Sequence, residues 1–81
     1  MKVTVKFWSY FRDLTKCDET SIEVNEGETL GDVHAAVIEK FPKLAEMKNS
    51  TLKAVGVDYQ TDDYVLSNGD EVSLFPPVQG G

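Results

Sequence analysis

The sequence predicts an α+β domain in which a mixed sheet of four to five strands carries one main helix packed across one face. Two strand-like segments precede a single amphipathic helix, and further strand-like segments follow it. No repeat, low-complexity stretch or internal linker interrupts the 81 residues. A chain of this length has enough apolar material for one core, so we expect one domain over residues 1–76 and a flexible tail over residues 77–81.

The first strand is indicated by alternating apolar and polar side chains from Lys2 to Trp8. Trp8 follows the polar positions of this alternation, so its side chain is expected on the outer face of the sheet. The core-facing positions are Val3, Val5 and Phe7.

A second short strand is expected at residues 21–25, with Ile22 and Val24 facing inward. The segment between the two strands is polar apart from three residues whose spacing suits a single helical turn. These residues are Tyr10, Phe11 and Leu14.

The main helix is predicted from Thr29 to about Phe41. Thr29 is a favourable N-cap, and Asp32, three residues later, supplies the second half of a capping box. Pro42 ends the helix, because the residue before proline is biased away from helical backbone angles. His34, the single histidine, lies within this helix, and we expect it to have a structural role at the surface or partly buried.

Strand patterns return in the second half of the chain, at residues 52–57, 64–66 and 71–75. The segment Ser67-Asn68-Gly69-Asp70 predicts a tight turn before the last strand, because Asn-Gly tolerates positive φ angles. In that last strand Val72 and Leu74 share the core-facing parity. Phe75 therefore points to the other face of the sheet.

Charge disfavours several classes of partner. The chain has 8 basic and 14 acidic side chains, a net charge of −6, and no basic residue follows Lys53. Nucleic acids and anionic membranes are recognised by clustered Lys and Arg, so a basic protein is a better partner. An acidic surface kept for solubility is the alternative explanation. With no apolar run of about 18 residues and no signal-peptide pattern, we expect a cytoplasmic protein.

The side chains offer no catalytic or metal-binding constellation. His34 has no second histidine to pair with, and Cys17 is the only cysteine. The acidic pairs lie in expected turns, where carboxylates are ordinarily solvated. No Gly-rich segment is followed by Lys and Ser or Thr, as a phosphate loop requires. We therefore expect no bound metal and no bound cofactor.

The most informative segment is Pro76-Pro77-Val78-Gln79-Gly80-Gly81. The prolines end the preceding strand, and an extended tail from Pro77 to Gly81 reaches about 17 Å. Glycines lack Cβ atoms, so this tail could enter a narrow channel with its carbonyl open to attack. A carboxylate is a poor electrophile at pH 7 and would need activation by an ATP-dependent partner. A frayed terminus is the alternative.

Two stretches together resemble one known family. They are Asn68-Gly69-Asp70-Glu71-Val72-Ser73-Leu74-Phe75-Pro76-Pro77-Val78-Gln79-Gly80-Gly81 and Val3-Thr4-Val5-Lys6-Phe7-Trp8 followed by Phe11-Arg12-Asp13-Leu14. In these motifs, and in length and element order, the chain resembles the MoaD/ThiS family of ubiquitin-like β-grasp sulfur carriers. The proline pair is more similar to the molybdopterin branch than to the thiamin branch. Gly56-Val57-Asp58 departs from the family, which more often has an Asn-containing turn.

The resemblance implies a β-grasp fold and a carrier that is not an enzyme alone. Gly81 would be adenylated with ATP by an E1-like activating enzyme and converted to a thiocarboxylate with sulfur from a donor protein. Inserted into the large subunit of molybdopterin synthase, it would give its sulfur to cyclic pyranopterin monophosphate, forming the dithiolene of the molybdenum cofactor. Gly80 would let the tail pass, and the expected partner-binding residues are Trp8, Arg12, Tyr59, Phe75, Pro76, Pro77 and Val78.

The alternation of side chains along the strands predicts part of the same partner-binding surface, independently of the family resemblance. Trp8 and Phe75 both project from the face opposite the core, and neighbouring exposed aromatic side chains are typical of a partner surface. Tyr59 extends this patch if it points the same way, which the turn after Val57 leaves open.

Three other functions remain open at this point. The chain could be a ubiquitin-like modifier conjugated to lysines through Gly81, since that use begins with the same adenylate. It could carry sulfur for thiamin or another thio-cofactor. It could also be a binding module with an accidental Gly-Gly end.

Overall fold

The computed structural model describes residues 1–77. In chain order these residues form β1 (Lys2–Phe7), α1 (Phe11–Thr15), β2 (Glu19–Glu23), α2 (Leu30–Lys40), a 3₁₀ helix (Pro42–Met47), β3 (Leu52–Val55), β4 (Asp58–Tyr59) and β5 (Glu71–Phe75). The strands form one sheet in the order β2-β1-β5-β3-β4. β1 and β5 are parallel, and the other neighbours are antiparallel. The predicted α+β class with a mixed sheet is confirmed.

The core includes the inner face of the sheet and α2, as the alternation predicts. Val5 and Val72, which are paired across the central strands, are both fully buried. From α2, Leu30, Val33 and Val37 are buried. The same buried cluster also includes Val3, Phe7 and Leu74.

α2 begins with the predicted capping box. The Asp32 amide donates to Thr29 Oγ1 at 3.3 Å, and the Thr29 amide donates to Asp32 Oδ2 at 2.9 Å. The helix ends at Lys40, and Phe41 has the non-helical angles φ −128° and ψ 79° immediately before Pro42. Both predicted helix ends are therefore confirmed.

The first turn of α2 is fixed to the loop that precedes β5. The Leu30 amide donates to Tyr64 O at 2.8 Å, and the Gly31 amide donates to Asp62 O at 2.9 Å. A Cβ built on Gly31 would lie 3.0 Å from Asp62 Cβ, so only glycine fits without a shift of the loop. These two hydrogen bonds satisfy amides that the start of a helix leaves unpaired.

Two predicted strands differ from the structure in their limits. β2 covers Glu19–Glu23 instead of residues 21–25, because its pairing with β1 extends to Glu19 opposite Lys6. The strand expected at residues 52–57 is instead a hairpin of β3 and β4. Its turn contains Gly56, whose φ of +61° suits glycine, and an almost fully exposed Val57.

The third difference concerns residues 64–66, which form no strand. Val65 makes one isolated bridge to Thr29, while Leu66 is buried in the core. The predicted turn that follows is confirmed. Gly69 has a φ of +87°, and the amide of Asp70 donates to Ser67 O at 3.1 Å.

No helix within residues 1–77 is long and apolar enough to cross a membrane. Among the same residues, no group of three or more His, Cys, Asp or Glu could hold a metal ion. Of the predicted tail, residues 77–81, the structure describes only Pro77, so the domain boundary stays a prediction.

Candidate functional site

Three aromatic side chains form a continuous surface on the outer face of the sheet, opposite α2. The rings of Trp8 and Phe75 are stacked, with centroids 5.6 Å apart and an interplanar angle of 16°. Tyr59 meets Phe75 edge to face at 6.2 Å. Trp8 is 44% exposed and Tyr59 is 69% exposed. We call Trp8, Phe75 and Tyr59 the aromatic patch.

The register of the sheet brings these rings together. The Trp8 amide donates to Leu74 O at 3.2 Å and so continues the parallel pairing of β1 and β5. This contact sets Trp8 beside Phe75 with the same parity. On the other side, Ala54 of β3 pairs with Ser73 of β5 and with Tyr59 of β4, which turns Tyr59 to the outer face. The sequence had left the direction of Tyr59 open.

A groove of about 360 Å³ lies beside the aromatic patch. Three of its residues, Ser9, Tyr10 and Leu52, were not among the predicted site residues. Leu52 lies two residues before Ala54 in β3, so both side chains point to the outer face, and Leu52 is paired with Phe75. Strand alternation could therefore have placed Leu52 beside the patch, but only once the pairing of β3 with β5 was known. Tyr10 follows Ser9, whose φ of +56° turns the chain after Trp8. The groove is lined by Ser9, Tyr10, Leu52, Tyr59, Phe75, Pro76 and Pro77.

Arg12 lies at the Trp8 side of the aromatic patch. It is an exposed residue of α1, and its Nε donates to Ser9 O at 3.5 Å. Together with Trp8 it lines a second cavity, of about 210 Å³, whose wall also contains Asp18 and Glu19. The structure therefore brings the predicted basic position and the predicted aromatic positions to one side of the molecule.

The described chain leaves the sheet at this same place. Pro76 and Pro77 follow Phe75 directly, are half-buried and line the groove. The remaining predicted site residues, Val78, Gly80 and Gly81, lie outside the described residues, and their roles stay predictions. Whatever follows Pro77 thus begins next to the aromatic patch.

Comparison with known proteins assigns the fold to a family. The family model described as "ThiS family" matches residues 5–81. The chain belongs to the ThiS family. It is 32% identical to the molybdopterin synthase sulfur carrier subunit of Mycobacterium tuberculosis, with 100% of this chain and 99% of the relative covered. It is 33% identical to the subunit of that name from Escherichia coli, and the match covers 98% of this chain and 99% of the relative.

Solved structures agree with this assignment. Subunit 1 of a molybdopterin converting factor from Pyrococcus furiosus superimposes on this ThiS-family chain with a TM-score of 0.87, 32% identity, and 96% and 99% of the two chains covered. A complex of subunits 1 and 2 of the Helicobacter pylori factor matches with a TM-score of 0.71 and 27% identity over both full chains. SAMP1 from Haloferax volcanii superimposes with a TM-score of 0.91 and 20% identity, and the match covers 100% of both chains. At this low identity the match supports only the ubiquitin-like β-grasp fold.

A charged cluster lies on the other side of the sheet from the aromatic patch. His34 of α2 is 3% exposed, deeper than the surface or partly buried position expected from the sequence. Burial, followed by the nearby charges of Lys53 and Lys48, lowers the pKa of His34 from 6.5 to about 4, although Asp62 opposes the shift. His34 is therefore neutral at pH 7.

Lys53 and Asp62 form the ionic part of this cluster. Lys53 Nζ lies 2.9 Å from Asp62 Oδ1, and the lysine side chain is only 13% exposed. The hydrogen bond from Lys53 lowers the pKa of Asp62 below its usual value. The pair ties β3 to the loop that caps α2, so its role in this ThiS-family chain is structural.

Proposed function

We propose that this chain is the sulfur carrier subunit of a molybdopterin synthase. The observation that carries the proposal is the aromatic patch at the point where the chain passes from β5 into Pro76 and Pro77. A carrier needs a surface that holds a partner and a tail that starts beside it. The names of the relatives support the same assignment.

The tail chemistry begins at the carboxylate of Gly81. A carboxylate oxygen attacks the α-phosphate of ATP on an activating enzyme, which forms an acyl-adenylate and releases pyrophosphate. A sulfide equivalent from a sulfur donor protein then displaces AMP at the acyl carbon and leaves a thiocarboxylate. Because ATP is needed, the cytoplasm is the expected location. Glycine at positions 80 and 81 leaves this carbon free of side-chain obstruction.

The large subunit is the proposed acceptor of the charged carrier. The groove and the aromatic patch dock on it, and the tail then extends into its active site. There the thiocarboxylate sulfur bonds to a carbon of cyclic pyranopterin monophosphate and displaces an oxygen substituent. Water then cleaves the acyl carbon–sulfur bond, which leaves the sulfur on the pterin and regenerates the carboxylate of Gly81. The carrier supplies position and sulfur, so it has no turnover by itself.

The direct test of the chemistry is intact mass spectrometry. Incubation with an activating enzyme, ATP and a sulfur source should add the mass difference between sulfur and oxygen to the full chain. Deleting Gly81 should abolish that gain while the far-ultraviolet circular dichroism stays the same. A truncated chain that still gains sulfur contradicts the mechanism, and Gly-Gly remnants on lysines of other proteins would favour a protein modifier instead.

The test of the docking surface uses the aromatic patch. Trp8→Ala or Phe75→Ala should weaken binding to the large subunit by more than about 1 kcal/mol, as loss of an aromatic anchor usually does. Val65→Ala is the matched control, because Val65 is an exposed apolar residue away from the patch. Unchanged affinity in the aromatic variants, combined with a large loss of stability, would assign these rings to the fold instead.

A further inference from the structure

The two edges of the sheet differ in length. One edge is β4, which has two residues, and the other is β2, which has five. A long edge strand exposes unpaired N–H and C=O groups, which can pair with another chain unless proline, a bulge, a covering element or charged side chains that repel the incoming strand prevent it. β2 contains no proline, and within residues 1–77 no strand pairs with its outer side.

Hydrogen bonds to β1 identify which backbone groups of β2 are free. The Phe7 amide donates to Asp18 O and the Val24 amide donates to Met1 O, both at 2.8 Å. Bonded and non-bonded positions alternate along an antiparallel pair, so the even-numbered residues face β1. The odd-numbered residues direct their N–H and C=O groups away from the sheet: Glu19, Ser21 and Glu23.

The side chains of these three residues lie on the outer face of the sheet. Each is paired with a residue of β1 that has the same parity, in the register Glu19 with Lys6, Ser21 with Thr4 and Glu23 with Lys2. Residues 2–6 of β1 thus have the sequence Lys-Val-Thr-Val-Lys, and this strand already places one lysine opposite each of the two glutamates of β2. Lys2 Nζ lies 3.8 Å from Glu23 Oε1, but the Glu23 side chain is 74% exposed, so a strand on its other side can still reach the carboxylate.

The inner face beside this edge is mixed, with a cation next to Thr20 and an apolar side chain at Ile22. Lys40 Nζ donates to Thr20 Oγ1 at 2.8 Å, which holds an ammonium group next to the edge. Ile22, the next inward residue, is half-buried against the core. An added strand would meet carboxylates on one face and Lys40 with Ile22 on the other. Basic side chains fit the first face. On the second face small apolar side chains fit beside Ile22, while the Lys40 ammonium group already donates a hydrogen bond to Thr20.

A second copy of this chain is a poor occupant of the edge. Antiparallel pairing of β2 with its own copy would put Glu19 of each chain opposite Glu23 of the other. Like charges directly opposite one another destabilise a strand pair. The glutamates therefore disfavour self-association and favour a strand of opposite charge.

We propose that the free edge of β2 is a docking site for an extended segment of a basic protein partner, with Lys or Arg at alternate positions and small apolar side chains between them. Main-chain hydrogen bonds at the odd-numbered residues supply affinity, and Glu19 and Glu23 supply specificity. This site goes beyond the proposed function. It uses the edge opposite β4, and it adjoins the candidate site at Glu19, which lines the cavity shared by Trp8 and Arg12.

Two peptides test the proposal against the full chain by nuclear magnetic resonance. Acetyl-Lys-Val-Thr-Val-Lys-amide should shift the amide resonances of Glu19, Ser21 and Glu23 more than those of Thr20 and Ile22. Acetyl-Glu-Val-Thr-Val-Glu-amide should bind at least about tenfold more weakly, since attraction at two pairs becomes repulsion. Equal binding of both peptides, or shifts that avoid β2, overturns the proposal.

Variants of the chain separate charge from backbone pairing. Replacing Glu19 and Glu23 together by lysine should reverse the preference between the peptides. Ser21→Pro removes the central outward N–H without removing a hydrogen bond to β1, so binding of the basic peptide should fall at least about tenfold. Ser21→Ala keeps that N–H and should bind like the native chain.

Two outcomes of the variant experiments count against the proposal. A folded Ser21→Pro chain that binds the basic peptide with native affinity excludes backbone pairing at this edge. If Ser21→Pro does not fold, the charge-reversed chain decides, and an unchanged preference for the basic peptide then overturns the proposal. The mass-spectrometric test of sulfur loading is independent of both results.

Discussion

Acid should destabilise this protein in part through one buried side chain, His34. It is 3% exposed, and its neighbours on other elements are Lys53 of β3, Asp62 of the loop before β5 and Lys48 after the 3₁₀ helix. Its pKa falls from 6.5 to about 4 on folding. Between pH 6.5 and about pH 4 His34 is protonated in the unfolded chain but not in the folded chain. The free energy of unfolding therefore has its full value above about pH 6.5 and decreases as the pH falls.

The size of the effect follows from the same pKa values. A group that titrates at 6.5 unfolded and at about 4 folded lowers the free energy of unfolding by about 2 kcal/mol at pH 5 and about 3 kcal/mol at pH 4. A chain of this length is expected to have about 4 to 12 kcal/mol in total. At about pH 4 to 5 this single histidine therefore removes a sizeable fraction of the expected stability.

Urea unfolding of the native chain and of His34→Leu, at several pH values between 7.5 and 4.5, measures the effect. Carboxylates titrate in both proteins, so the difference between the two curves isolates His34. The native chain should lose about 2 kcal/mol more than the variant between pH 7.5 and pH 5. Parallel curves, or a His34 resonance that titrates near pH 6.5 in the folded protein, would refute the reasoning.

Three further predictions concern the same half of the molecule. Lys53→Met removes a positive charge that lowers the pKa of His34, so the His34 resonance should titrate at higher pH; an unchanged midpoint would exclude Lys53 as a cause of the shift. Gly31→Ala should cost about 1 to 3 kcal/mol in urea unfolding, because its Cβ would lie 3.0 Å from Asp62 Cβ, and native stability would contradict the close approach. Thr29→Ala should cost about 1 kcal/mol through loss of the capping box, whereas Thr29→Ser should stay near native stability.

The local patterns predicted much of this fold. Alternation assigned the inner and outer faces of β1 and β5, and the capping box with Pro42 gave both ends of α2. These features depend on neighbours within a few residues. The limits of β2 depend on its pairing with β1, and the direction of Tyr59 depends on the turn at Gly56. A sequence pattern does not specify such distant contacts.

The candidate site divides in the same way. Trp8 and Phe75 could be assigned from parity, because each belongs to a regular strand or continues one. Leu52 and Tyr10 could not, since their place in the groove depends on the pairing of β3 with β5 and on the turn at Ser9. The burial of His34 was also missed, because the elements that cover it come from distant parts of the sequence.

The parallel pairing of β1 with β5 has a consequence for biosynthesis. These central strands are the first and last of the sheet, so the middle of the fold joins residues about as far apart in sequence as the chain allows. Contacts of such separation form late and slowly. A nascent chain that has not yet emerged past residue 75 has neither the central strand pair nor the stacked Trp8 and Phe75 rings. Any partner that recognises those rings therefore discriminates against unfinished carriers.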